Sequence, residues 1–202
     1  MAIYARIFAA IYDASLHRGE RAGMAERRRR LLATARGRVL EIGAGTGLNL
    51  PFYTDAVDEL VLTEPEAPMA RRLQKRADGA EIVPAAAEQL PFADASFDTV
   101  VSTLVLCTVE DPERALAEAR RVLRPGGRLL FIEHVRGDGP LARRQDRFAG
   151  LWRRFAHGCH ANRDTLTALD TNGFAVSDVE TASWRKMPRI VRPLILGYAV
   201  KT

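Results

Sequence analysis

The chain has 202 residues, which at about 100–200 residues per domain is one domain. Apolar residues make up 47% and charged residues 27%, ordinary globular proportions that exclude collagen, coiled coil and bulk disorder. The net charge of +5 admits an anionic partner such as phospholipid without requiring one, and no nucleic-acid partner is expected.

Of 30 basic residues all but Lys75, Lys186 and Lys201 are arginine. No apolar run reaches the roughly 20 residues of a membrane span. The opening MAIYARIFAAIYDASLHRGE is interrupted by Arg6 and lacks the layout of a signal peptide. Cys107 and Cys159 are too few and too far apart for a zinc knuckle or a disulfide framework. Each reads as a small buried hydrophobe in a reduced, cytoplasmic setting, and no metal is expected.

Residues 3–18 place Ile3, Ile7, Phe8, Ile11, Tyr12 and Leu16 at helical spacing on one face. A second helix runs from about Glu20 to Ala35 and carries Arg27–Arg30. That run reads as a solvated face, with contact to an anionic membrane surface as the sharper alternative. Arg38–Ile42 is a short buried strand, Leu48–Tyr53 opens a helix, and Glu59–Thr63 is a second strand ending at Glu64-Pro65. Glu66–Ala77 is a helix that starts with acids and ends with bases, as its dipole favours. Ala80–Val83 and Phe97–Thr103 are the third and fourth strands. Asp111 caps a helix with Pro112 at its first position, running to about Leu123 and stopping at Arg124-Pro125-Gly126-Gly127. Arg128–Val135 is the fifth strand, and residues 136–160 are helix-like and rich in Arg, Phe and Trp. Asp164 caps a helix through Thr171, ended by Asn172-Gly173. Phe174–Thr181 and Ile190–Val200 are joined too tightly for a crossover, so they form an antiparallel edge pair. The alternation predicts an α/β protein with a mostly parallel sheet covered by helices on both faces. Its parts are a helical cap (1–36), a core (37–135), a lid (136–163) and a closing helix with strands (164–202).

The strongest motif is Glu41-Ile42-Gly43-Ala44-Gly45-Thr46-Gly47, a glycine loop between a strand and a helical segment. One glycine permits the tight turn, one admits a ligand to the backbone, and one lets the following segment pack close. A purely structural turn is the alternative. The spacing G-x-G-x-G is neither the dinucleotide fingerprint nor a P-loop, and Glu41 suits a ligand with a cationic group. Glu64 closes the second strand, where a carboxylate can accept both hydroxyls of a ribose. Its alternative role is a cap on the helix that follows.

EIGAGTG, then Glu64, then AEQLPFADASFD and RVLRPGG together resemble a class I S-adenosylmethionine-dependent methyltransferase over residues 38–135. The resemblance implies a Rossmann-like, seven-stranded sheet whose last strand is antiparallel, with a helical lid. It implies S-adenosylmethionine as cofactor and S-adenosylhomocysteine as product. By resemblance Gly43, Gly45 and Gly47 line the methionine half, Glu41 lies near its ammonium, and Glu64 binds the ribose. Ala44, Asn49, Pro65, Thr103 and Leu104 join the cofactor-binding set. Ala86 stands where relatives often carry an adenine-binding Asp, which leaves that contact to Ala87 and Glu88.

Thr103–Asp111, Leu151–Arg163 and the tail RPLILGYAVK resemble the alkyl-thiol methyltransferases of the methyltransferase-like group, which in animals are microsomal and carry an N-terminal anchor. GTGLNLPFY also resembles bacterial phospholipid N-methyltransferases. The expected acceptor is therefore a small lipophilic molecule, first a thiol. A phosphatidylethanolamine head group comes second, with peripheral membrane contact, and a quinone or natural-product C- or O-methylation after it. A cofactor-binding protein without turnover is the least favoured reading. His134, His157 and His160 are the candidate bases that would deprotonate an acceptor. A thiol already ionised by a few per cent needs none. The sequence leaves the oligomeric state open.

Overall fold

Seven strands of the computed structural model, which describes residues 2–202, line up because each carries a buried apolar run. They are β1 (Gly37–Ile42), β2 (Val57–Thr63), β3 (Glu81–Val83), β4 (Phe97–Thr103), β5 (Leu123–His134), β6 (Phe174–Ser183) and β7 (Pro193–Lys201), in the order β3-β2-β1-β4-β5-β7-β6. Val39, Leu40 and Ile42 of β1 are buried, with Val39 opposite Leu60 on one side and Thr99 on the other. β1 to β5 are mutually parallel, while β7 runs antiparallel to both β5 and β6. Strand order reverses between β1 and β4, so a crevice opens at their carboxyl ends, the usual place for a ligand in such sheets.

Helices cover both faces: α1 (Ala2–Gly19), α2 (Ala25–Leu32), α3 (Ala67–Gln74), α4 (Pro112–Val122), α5 (Gly139–Phe155) and α6 (Thr165–Thr171). Asp111 caps α4 by accepting from Arg114 N at 3.0 Å, and Asp164 caps α6 by accepting from Thr167 N at 3.2 Å. One apolar layer joins Phe97, Phe131, Leu116 and Phe174, and the opposite layer joins Met24, Leu32, Leu130, Ile132 and Trp184. Among the described residues no helix is long and apolar enough to cross a membrane.

The structure departs from the sequence expectations in five places. Leu48–Tyr53 does not open an α-helix. Turns lead to a single 3-10 turn at Leu50–Phe52, because Gly47 is left-handed (φ 86°) and Pro51 has no N–H to donate. β5 begins at Leu123 rather than Arg128, since Leu123 pairs with Phe97 before the ladder resumes at Arg128. The stripe on α1 divides: Phe8, Tyr12 and Leu16 pack inward, while Ile3, Ile7 and Ile11 are exposed. Gly23, at φ 126°, bends the chain between α1 and α2.

The arginine run is the fifth. Arg29 and Arg30 are solvated, but Arg28 is buried. Its Nη1 donates to Asn49 Oδ1 at 2.8 Å, and Nε and Nη2 both reach the Glu20 carboxylate, at 3.2 and 3.1 Å. Removing one partner of a buried pair strands the other, whereas exposed pairs contribute little. Arg28→Ala is expected to lower unfolding free energy by about 3 kcal/mol in urea titrations, and Arg30→Ala by less than about 0.5 kcal/mol.

Candidate active site

The glycine loop leaves β1 with Gly43, Gly45 and Gly47 all at positive φ (57°, 61° and 86°). A side chain at Gly43 would run into Val105, and one at Gly47 into Leu50 and Leu73, so the loop lies tight against both neighbours. The helical cap sits on it. Thr46 Oγ1 donates to Asp13 Oδ1 at 2.5 Å, and Arg76 bridges Asp13 Oδ2 (2.5 Å) and the Thr46 carbonyl (3.0 Å).

Beneath the loop, Glu41 is buried with both carboxylate oxygens engaged. Asn49 Nδ2 donates to Oε1 at 2.9 Å and the Tyr53 hydroxyl to Oε2 at 2.7 Å. Asn49 also donates to Thr103 Oγ1 at 3.0 Å. Burial raises the Glu41 carboxyl from 4.5 to about 7, against the lowering pull of those two hydrogen bonds and of Arg28. A cation brought to this point would favour its ionised form.

Glu64 follows β2 and ties the loop to the start of α3. Its Oε2 accepts from Gly45 N and its Oε1 from Glu66 N, each at 2.8 Å. Burial raises its pKa, and the two backbone bonds oppose that rise. One N–H on each oxygen leaves a lone pair on each, so a diol fits here. Ala87 is buried in the next loop, with Pro65 beside Glu64 in sequence. Glu88 holds the chain in place: its Oε1 accepts from Glu110 N at 2.9 Å, tying down the segment before α4.

After β4, Thr103 leads into Leu104, a non-glycine residue at φ 61°. Such a conformation costs free energy and is retained where the surroundings over-determine it. The surroundings here are Glu133, whose buried carboxylate accepts from Ser102 Oγ (2.7 Å), Val105 N (3.0 Å), Leu106 N (3.1 Å) and Cys107 N (3.3 Å). Burial raises its pKa, and these four donors lower it. Glu133 is absent from the sequence-based candidates. Its signal is an acid inside the otherwise buried run LLFIEH.

The three histidines part company. His134, at the end of β5, is buried and stacked on Trp184 at 5.5 Å. Burial lowers its pKa to about 4, so it is neutral at pH 7 and a weak base. His157 stacks on Phe8 at 4.6 Å and lies 3.7 Å from Glu66 Oε1, closing the seam between lid and cap. Tyr4 joins the seam by donating to the Phe155 carbonyl at 2.7 Å. His160 is half-buried, which lowers its pKa, and its backbone N–H donates to the Cys107 carbonyl at 2.6 Å. Tyr12, by sequence only a member of an apolar stripe, has a second role open to it. Its buried hydroxyl lies in the field of Arg28, Cys107, Glu20 and Glu64, with a pKa raised by burial. The same lid loop brings Cys159 Sγ to 3.8 Å from Cys107 Sγ. Their contact lowers the Cys159 thiol and raises that of Cys107, which burial raises further.

Residues 40–131 match the protein family described as "Methyltransferase domain". The chain is 36% identical over 172 residues to "Thiol S-methyltransferase TMT1A" of Homo sapiens, covering 81% of this chain and 70% of that protein. It is 39% identical over 140 residues to "Phosphatidylethanolamine N-methyltransferase" of Cereibacter sphaeroides, covering 66% and 68%. A solved structure from Thermotoga maritima, described as a "SAM-dependent methyltransferase, possible histamine N-methyltransferase", superposes with a TM-score of 0.73 at 25% identity over 98% of both chains.

Two outcomes are expected of the site carboxylates. Between pH 4.5 and about 7 folded Glu41 keeps a proton that the unfolded chain has released. Stability therefore falls as pH rises through that window, and the penalty is complete above it. Glu41→Gln should be more stable than the wild type at pH 8 by about 2 kcal/mol, with the gap closing near pH 4.5, as read by urea unfolding at both pH values. Glu64→Ala should weaken S-adenosylhomocysteine binding at least about tenfold by calorimetry, since a charge-assisted pair of hydrogen bonds is lost. Unchanged affinity would place the ribose elsewhere. The match to the methyltransferase domain family, the 36% identity to a methyltransferase over 70% of its length and the shared fold of the Thermotoga maritima enzyme put this chain in the S-adenosylmethionine-dependent methyltransferase family.

Proposed function

We propose that the chain transfers the methyl group of S-adenosylmethionine to a small lipophilic thiol. The observation that carries this reading is the reach of the likeness. It spans 81% of the chain for the human thiol S-methyltransferase, against 66% for the phosphatidylethanolamine enzyme. Bound at the loop, the cofactor supplies a methyl on a sulfonium sulfur, an excellent leaving group. Glu64 would accept the ribose hydroxyls. Glu41, held by Asn49 and Tyr53, would face the ammonium, with Thr103 and Leu104 as the wall. Ala87 and Glu88 would flank the adenine.

What remains for the chain is alignment and dryness. Phe8 of α1 stacks on His157 and packs against Tyr12, and Asp13 of the same helix holds the loop at Thr46. The cofactor would give its methyl to the acceptor sulfur and leave as S-adenosylhomocysteine, a neutral thioether. The thiol proton would go to solvent before attack, because His134, with a pKa of about 4, does not hold it at neutral pH. A thiol with an appreciable ionised fraction suits such a site.

A lipid acceptor is the second reading, favoured by one surface feature. Ile3, Ile7 and Ile11 of α1 and Phe148, Leu151 and Phe155 of α5 are exposed, with the exposed Arg6, Arg147 and Arg154 among them. The Tyr4–Phe155 hydrogen bond brings the two stripes together at one corner. Such a face suits an anionic membrane surface that delivers lipophilic molecules.

The test uses isotope-labelled S-adenosylmethionine with an alkyl thiol and phosphatidylethanolamine vesicles side by side, read by mass spectrometry. Label is expected in the thioether; label in the lipid alone would move the protein to the second reading. Flotation with anionic vesicles should be salt-sensitive and should fail in the Ile7→Glu, Leu151→Glu double variant. Equal flotation of that variant would remove this surface from the account.

A further inference from the structure

Cys107 and Cys159 stand 52 positions apart, yet their sulfurs lie 3.8 Å from each other. One ring nitrogen of His134 lies within 4.8 Å of both. All three side chains are buried. Three different elements deliver them: the segment after β4, the end of β5 and the lid loop after α5.

Two features indicate what this cluster is built to do. The first is spacing. A disulfide needs its sulfurs at about 2.05 Å. Two thiolates on one tetrahedral ion at about 2.3 Å stand about 3.8 Å apart. The second is an unmet need. His134 Nδ1 is buried without a hydrogen-bond partner. An unpaired buried polar atom costs about 1–3 kcal/mol, so a ligand that takes it up is favoured. The backbone around the sulfurs is already fastened. Glu133 holds Cys107 N, His160 N holds the Cys107 carbonyl, and Arg163 spans the carbonyls of Leu106 and Val109. A firm frame with thiolate and imidazole donors selects soft d10 ions over magnesium or calcium.

We propose that Cys107, Cys159 and His134 bind one thiophilic cation of the zinc type, whose fourth position takes the acceptor thiol. Three protein ligands with one open position is the arrangement of catalytic rather than structural zinc. Val105, two residues before Cys107, lies against Gly43, so the cluster borders the glycine-loop chamber. Ion binding releases the two cysteine protons to solvent. The incoming acceptor thiol would lose its own proton to solvent on ligation. Methyl transfer then turns that thiolate into a neutral thioether, a poorer ligand that departs. The open-position role rests on the thiol reading; the ion site does not.

The full chain, reduced and kept free of air, is titrated with cobalt(II) as a spectroscopic stand-in for zinc. One equivalent is expected to produce thiolate-to-cobalt charge transfer and the intense visible bands of tetrahedral cobalt. Cys107→Ser and Cys159→Ser should each weaken binding at least tenfold in competition with a chelator. Both should keep their S-adenosylhomocysteine affinity, which shows that the fold survives. No charge-transfer band, or a band that persists in the double variant, overturns the site. So does a chain that in air loses two hydrogens to a Cys107–Cys159 disulfide and takes up no ion when reduced. Adding an alkyl thiol to the cobalt form should shift the bands. An unshifted spectrum overturns the open-position role while the ion site stands on its own titration.

Discussion

One buried guanidinium joins the helical cap to the glycine loop. Arg28 holds Glu20 of the bend on one side and Asn49 on the other; Asn49 in turn holds Glu41 and Thr103, and Tyr53 completes the Glu41 carboxylate. Two carboxylates and one guanidinium in a low-dielectric interior are costly unless every donor and acceptor is matched. Here they are matched in series, so each member orients the next and removal of one leaves the others unpaired. The chain from Glu20 to Thr103 thus sets the ends of β1 and β4, the two strands that flank the crevice. The glycine loop is placed by a polar network that reaches it from the cap.

Glu133 does for the acceptor side what Arg28 does for the cofactor side. Its carboxylate gathers Ser102 Oγ and three successive backbone N–H groups. That grip makes the left-handed Leu104 sustainable and points the Cys107 side chain toward Cys159. Neither group is needed for the sheet to form. Both hold a loop at a strand end where free backbone groups would otherwise seek water. The stability given up to burying these charges is returned as fixed positions along the crevice.

Local signals in the sequence are readable where the physics is local. Asp111 with Pro112, Asp164 with Asn172-Gly173, and the apolar run Phe97–Thr103 each declare an element within a few residues, and the structure has all of them. The glycine loop and Glu64 are legible for the same reason, a strand-end motif and its partner in fixed order. Arg28 is not, because four arginines in a row look solvated unless one knows that Asn49 lies 21 residues onward and within reach. The helix expected at Leu48–Tyr53 fails on a competition that periodicity does not weigh: Gly47 and Pro51 break what the apolar spacing suggests. The α1 stripe fails differently. Its spacing is helical, but a helix apolar on two sides does not say which side faces the core.

The division between cofactor and acceptor halves explains why one is easier to read than the other. S-adenosylmethionine has one structure, so the residues that meet it recur as a motif with fixed order and spacing. The proposed acceptor wall would draw on the β4 segment, the β5 end, the loop after α5 and α1, and no two of these are adjacent in sequence. Tyr12, Cys107, His134 and Cys159 therefore carry four separate bland readings, each reasonable for a lone residue. Only their convergence alters the chemistry. A histidine of low pKa is a poor base, but a neutral imidazole is the form that binds a metal ion. Proton acceptance and ion ligation would draw on the ring's nitrogen lone pair, so the two roles proposed for His134 exclude each other.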